Sequence, residues 1–532
     1  MSQFLHHYAA DVTGVLSGFD RLRFRGTLRL IANARGLTSL MSHCGVLTKD
    51  FKAFALGVSE GVRTTVETVA ATAGRPYLHH RSWRTDKEQV ARALAATDHI
   101  DHGLIGVIAA VEQCQSFDLR SDKARGLLLV EPAVRKCLHY YLYYMHERFG
   151  FLHVRLQSWL PLNVWICMNG REWLARELSA AGVPFTRQAN AIRPQDVARA
   201  QAGLDAQVTC DWASELPTLL GVANPQVDRL VGEFPLHYYW SLEESEWATD
   251  VLFRSPAALQ ALYPRFIRHG IEGLSCRDVM RYLGKRVNQD GSIPVRCADD
   301  VLSDLRPANV PAARGERRGA ESVRLKHRVN RNWVKLYDKT ADMMRVETVI
   351  NDTRDLRVYR RLESEEPTAP KQWRRLRKGV VDVPRRAALS EQANRRYLDA
   401  LAAVEPGTSL GTLAAGVCRS VVWRGRGARG LNPLSAGDAA LLAAINRGEF
   451  AMTGMRNREL RACLCGPTPP DDAARRRQSA QVTRRIRLLR AHHLLKKIPG
   501  THRYQVTARG RVMLTALLTA RAANTRRLLE AA

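Results

Sequence analysis

The stretch that decides the fold class is His139–Trp173, HYYLYYMHERFGFLHVRLQSWLPLNVWICMNGREW. It holds nine aromatic residues, in a chain with 14 Tyr, 13 Phe and 10 Trp. Alternation over His153–Gln157 and Val164–Met168 reads as two strands, separated at Pro161. Asn169-Gly170 is a strong turn signal, and Glu172–Ala181 continues with the spacing of an amphipathic helix. Strands leading into a helix predict an α+β body. Upstream, Val15–Leu28 alternates like a strand pair and Lys87–Ala96 reads as a helix.

Length and charge place this body in a larger chain. At 532 residues the protein exceeds one domain, and 45% apolar with 25% charged residues excludes wholesale disorder. The formal charge of +29 is unevenly distributed. Residues 1–310 hold 35 basic and 32 acidic side chains, 311–430 hold 27 and 14, and 431–532 hold 19 and 6. A GC-rich genome explains 68 Arg against 13 Lys, but not the concentration of the excess behind residue 310. A near-neutral front joined to a basic rear predicts a polyanionic partner, nucleic acid before membrane surface. Arg306–Gly319 (RPANVPAARGERRG) and Arg424–Gly430 (RGRGARG) read as joints. The expectation is a multidomain α+β protein: a mixed α/β body over 1–305, a basic β-rich module over 320–423 and a third unit over 431–532.

Several classes are disfavoured. The longest apolar run, Gly103–Val111, is far short of the ~20 residues of a bilayer span, and the N-terminus lacks a secretion-signal pattern. The 10 cysteines form no CxxC pair, and Cys463-Leu-Cys465 has no partner pair nearby. Scattered reduced thiols in a cytoplasmic protein are expected, rather than a zinc site or a disulfide framework. Walker A, GxGxxG, GxSxG and HExxH motifs are missing.

In the last unit, Ser435 begins a helix carrying Leu441, Leu442 and Ile445, and a second short helix spans Arg458–Leu464. A third, from about Ala473 to His493, places Val482, Ile486 and Leu489 on one face. At 100° per residue Arg477, Arg484 and Arg487 fall opposite, with Gln481 on the flank. Lys496-Lys497-Ile498, a Pro499-Gly500 turn and Thr501–Thr507 read as a hairpin, followed by a helix over Arg511–Leu529. This order resembles a winged helix-turn-helix of the MarR-like kind, and HLLKKIPGTHRYQVTARGR (His493–Arg511) is similar to that family's wing region. The resemblance implies duplex DNA in the major groove, where Arg bonds guanine and Gln adenine. It also places Lys496, Lys497, His502 and Arg503 against phosphates or the minor groove. Protein contacts or RNA are the alternatives.

Within the middle block, VRLKHRV, WVKLYDK, MMRVETVI and DLRVYRR read as four strands between Val323 and Arg361. Period two groups Arg324, Lys326 and Arg328, then Lys335, Tyr337 and Lys339, then Arg345 and Glu347. An aromatic among cations on a sheet suits stacked bases and phosphates, and Arg374 and Arg375 add charge in the run KQWRRLRK. Asn332-x-x-Lys335-x-Tyr337-Asp338-Lys339 with Arg345-x-Glu347 resembles a strand pair of rolling-circle replication initiators, although no His-hydrophobic-His motif accompanies it. The plainer reading pairs Glu347 with Lys335 or Lys339 across strands.

In SGFDRLRFRGTL (Ser17–Leu28), alternation puts Arg21, Arg23 and Arg25 on one face and Asp20, Leu22 and Phe24 on the other. A carboxylate in phase with apolar residues is costly to bury unless it is paired or binds a metal. Asp20 on such a strand is similar to the first strand of RNase H-like nucleases and transposases. That resemblance implies convergent carboxylates on Mg²⁺ or Mn²⁺, with Asp250 and Glu347 as companions and Asp438 a lesser one. The plain alternative is an Asp20–Arg pair. Asp98, His99, Asp101 and His102 read as helix-flanking polar residues, His146 and His153 as core histidines, and Glu243, Glu244 and Glu246 as a solvated helix start.

Together these readings predict a DNA-binding protein of mobile-element or replication type, with metal-dependent phosphodiester chemistry centred on Asp20 and Glu347. A non-enzymatic transcription regulator or architectural DNA binder, and an RNA-binding ribonucleoprotein component, are the rival expectations.

Overall fold

The computed structural model of the chain describes residues 3–522, apart from 81–84, 222–235, most of 273–299, 308–320, 355, 362–365, 367, 403–409, 448–449, 451–453, 467–470 and 499–500. Most of the Arg306–Gly319 joint and the Pro499-Gly500 turn lie outside the described residues.

Among the described residues up to 375 there are fifteen strands. They are β1 (Val12–Leu28), β2 (Tyr77–His79), β3 (Gly103–Asp122), β4 (Leu127–His146), β5 (Gly150–Gln157), β6 (Val164–Asn169), β7 (Phe185–Gln188) and β8 (Ala191–Pro194). There follow β9 (Tyr238–Phe253), β10 (Asp300–Pro307), β11 (Glu321–Val329), β12 (Asn332–Thr340), β13 (Met343–Ile350), β14 (Arg357–Arg360) and β15 (Gln372–Arg375). Eleven of them form one sheet, in the order β10-β11-β12-β13-β9-β1-β6-β5-β4-β3-β2. All pairings are antiparallel except β2 with β3. β7–β8 and β14–β15 are separate hairpins.

This topology corrects the expected division at 305/320. The basic middle block is not a module of its own, because β10–β13 continue the body's sheet through the pairing of β13 with β9. The connecting strand is SLEESEWATDVLF, which the sequence reading takes for a helix start. Its glutamates are poor strand formers in isolation, and cross-strand cations supply what propensity does not. Likewise Val15–Leu28 belongs to one long strand rather than a strand pair.

One sheet face packs Phe19, Leu22, Phe24 and Trp247 into a core with helices Ala34–His43 and Phe51–Thr72. Farther along, Val251, Val346 and Leu336 pack with helices Pro256–Glu272 and Val383–Leu401. Leu16, on the opposite face, packs with helices Gly170–Ala180 and Val197–Val208. Asn169-Gly170 is the start of that first helix rather than a free turn: Asn169 accepts from the N–H groups of Arg171 and Glu172. Gly170 is required by close approach, since a Cβ there would lie 2.2 Å from the Phe19 carbonyl oxygen.

Residues 436–522 form helices Ala436–Ile445, Asn457–Cys465 and Asp472–Ala491, strands Leu495–Lys497 and Tyr504–Val506, and helix Ala508–Ala522. Their own core joins Leu442, Ile445, Leu460, Val482, Ile486, Leu489 and Leu514. Met455 pairs with Tyr504 in a single antiparallel bridge beside the two-stranded hairpin.

Candidate functional site

A β-bulge decides where Asp20 points. The β1–β9 register shifts between Phe19↔Trp247 and Arg21↔Glu246, leaving Asp20 as the extra residue. Asp20 therefore leaves the apolar face of Leu22 and Phe24, contrary to strict alternation, and turns to the opposite face with Arg21. There Asn190, in the β7–β8 turn, donates from Nδ2 to both Asp20 oxygens at 2.7 and 2.6 Å.

Neighbouring strands complete a charge network across that face. In the register, Arg345 lies opposite Asp250 and Tyr337, while Glu347 lies opposite Lys335. The buried Arg345 guanidinium binds Asp250 through Nε at 2.5 Å and Nη2 at 2.9 Å, and lies 3.2 Å from Asp20 through Nη1. Arg171 adds a second cation to Asp250 at 3.0 Å. Glu347 accepts from Lys335 Nζ at 2.5 Å and from the Tyr337 hydroxyl at 2.8 Å. Glu246 is less well served, with Lys335 and Arg21 each 3.9 Å away.

The electrostatics follow from these partners. Burial raises the Asp20 carboxyl, but Arg345, Arg171, Lys339 and the Asn190 bonds outweigh it and hold it below its ordinary value. Burial, with the Glu347 charge, pushes Glu246 up. Burial pulls Lys339 down, helped by Arg345. Burial and Glu347 raise the Tyr337 hydroxyl well above the usual tyrosine range.

Asp20, Glu246 and Glu347 each bring one carboxylate oxygen within 4.8 Å of the other two. That spacing suits one oxygen-liganded divalent cation, with ligands at ~2.0–2.1 Å for Mg²⁺. Two of the three carboxylates proposed from sequence, Asp20 and Glu347, are in this group. The third, Asp250, is held by two arginines, and Glu246 takes its place. Arg345, Arg171, Asn190 and Glu246 were missed as site members. Their partners are 79 to 325 residues away in sequence, so no local pattern announces them.

Other expected contacts are internal. Lys335 and Tyr337 face Glu347, and Tyr337 is buried, so they form no open stacking surface. Arg23 pairs with Glu244 at 3.0 Å and Arg25 with Glu243 at 3.4 Å, both against the Trp165 ring. Arg21 is more open, its side chain 61% exposed. Lys326 lies 4.0 Å over Trp333. Asp438 binds Arg429 at 2.6 Å, and Asp98 binds Arg75 at 2.6 Å. His146 Nδ1 accepts from the Arg148 and Phe149 N–H groups. His153 lies between Tyr141 and Tyr143, where burial and the nearby Arg23 push it down to about 3.

The C-terminal unit differs. Along Asp472–Ala491, Val482, Ile486 and Leu489 are buried while Arg477, Gln481, Arg484 and Arg487 are exposed. Lys496, Lys497 and His502 extend the exposed set onto the hairpin. Arg503 is a correction: Nη2 turns inward to the Gly454 carbonyl at 3.0 Å and to Glu459 at 3.4 Å, tying the hairpin to the second helix instead of facing outward.

No protein-family model matches the chain, and searches of curated proteins and of solved structures return no significant match. No described helix is long and apolar enough to cross a membrane.

Proposed function

We propose that the protein binds nucleic acid and that residues 436–522 are a winged helix-turn-helix that docks on duplex DNA. The supporting observation is the helix Asp472–Ala491, apolar on its inner side and exposing Arg477, Gln481, Arg484 and Arg487 on its outer side, next to a hairpin exposing Lys496 and Lys497. Such a helix fits the major groove, with the hairpin over the flanking backbone. The large sheet is then the body held at the DNA, in keeping with a mobile-element or replication-type role. Titration of duplex DNA, single strands and structured RNA over a salt series tests this reading. Duplex binding is expected to weaken by ~0.9 in log K per log salt for each phosphate contact. Much tighter binding of structured RNA at matched salt would overturn it.

One observation favours a second activity, cation-assisted phosphodiester chemistry at Asp20, Glu246 and Glu347. Glu246, the carboxylate with the most distant cations, has its proton affinity raised by burial and by Glu347, and a divalent cation would relieve that repulsion. Mg²⁺- or Mn²⁺-dependent cleavage is expected to vanish in Asp20→Ala and Glu347→Ala. Cleavage that survives both removes the site.

A further inference from the structure

The β14–β15 hairpin carries an aromatic pair that no core absorbs. Tyr359 and Trp373 lie directly opposite each other, ring centroids 5.6 Å apart, and are 58% and 55% exposed. Period two fixes what shares their face: Arg357 and Arg375, themselves a cross-strand pair. Val358 and Arg360, on the other face, are the inward residues, with Val358 against the second core and Arg360 buried. Two exposed rings side by side mark a contact surface more than a packing accident.

We propose that this hairpin is a stacking platform for unpaired nucleotides: Tyr359 and Trp373 take bases, and Arg357 and Arg375 take the adjoining phosphates. The inference rests on the nucleic-acid reading above and adds the ligand form, a single strand. Charge complementarity selects the occupant. The two guanidiniums sit one residue pair from the rings, roughly 7 Å along the strands, and exposed Lys371 lies two residues before Trp373. Stacking accepts any base because every base has a π face, so the platform reads no sequence. The hairpin is distinct from the helix Asp472–Ala491, which leaves duplex and single-strand binding separable.

The test uses the full chain, with fluorescence anisotropy on oligo-dT, oligo-U and a duplex at fixed salt. Tyr359→Ala with Trp373→Ala is expected to weaken single-strand binding by about ten- to a hundredfold, and to leave duplex affinity unchanged. Tyr359→Phe with Trp373→Phe, which keeps both rings, is expected to retain single-strand binding. Single-strand affinity unchanged in the alanine variant overturns the platform, as does an intact chain that binds duplex but no single strand. An intact chain that binds neither overturns the nucleic-acid reading itself.

Discussion

The sheet network and the C-terminal helix use the same residue types to opposite ends. In the sheet network, Arg345 and Lys335 on strands and Arg171 on the helix Gly170–Ala180 are committed to Asp250, Asp20 and Glu347. On the helix, Arg477, Arg484 and Arg487 stand in solvent, with Arg477 3.9 Å from the exposed Asp471. Buried cations are committed because an unpaired charge in the interior costs several kcal/mol. Exposed cations keep their hydration and remain available to a phosphate or a base edge. Local excess of positive charge therefore says where a polyanion is drawn. Which cations meet it depends on the partners that the fold supplies.

The sharpest way to break this contrast is to remove one cation from each region. Arg345→Met leaves Asp20 and Asp250 buried without their shared partner, and a loss of about 3–5 kcal/mol is expected in urea unfolding. Arg484→Ala, by the same measurement, is expected to stay within ~0.5 kcal/mol. Equal costs would erase the distinction.

Acid reaches the interior through a second set of groups. Burial holds His153 at about 3 and both His139 and His327 at about 4, below the ordinary 6.5. The unfolded chain takes up these protons first, so their contribution is complete above about pH 6.5 and is lost as pH falls toward 4 and then 3. The expected slope is up to about 1.4 kcal/mol per pH unit for each histidine. Denaturation midpoints at pH 7, 6 and 5 read it directly, and His153→Gln should flatten the curve.

Smaller effects sharpen the two sites individually. Lys496→Ala with Lys497→Ala is expected to lower duplex affinity several-fold and to reduce the salt slope by up to about 2, with folding unchanged. Glu246→Gln removes a carboxylate that Glu347 repels and should raise stability at neutral pH by up to ~0.5 kcal/mol. Isothermal titration with Mn²⁺ on the same variant shows whether Glu246 also holds a cation.

What was legible in the sequence followed from local physics. The apolar spacing of Val482, Ile486 and Leu489 and the helix start at Ser435 mark helices because their signals lie within a turn or two. Asp20 and Glu347 were recognisable as carboxylates out of place on strands. Their true surroundings were not, because a single bulge after Phe19 reverses the side to which Asp20 points. A period-two reading has no means of detecting an inserted residue. The continuity of the sheet across residues 305–320 was hidden by the acidic run in β9, whose strand character depends on cations from β1 and β12. Arg503 illustrates the converse: a basic residue on a hairpin reads as a phosphate ligand until Glu459 is seen beside it.

The central claim, that the exposed side of helix Asp472–Ala491 docks on duplex DNA, is tested most directly by one titration. Full-length protein carrying Arg477→Ala, Gln481→Ala, Arg484→Ala and Arg487→Ala is compared with the intact chain on a duplex over a salt series. The expected result is at least about a hundredfold weaker binding, with a shallower salt slope and unchanged unfolding. Unchanged affinity and slope would contradict the account and place the anchor elsewhere on the molecule.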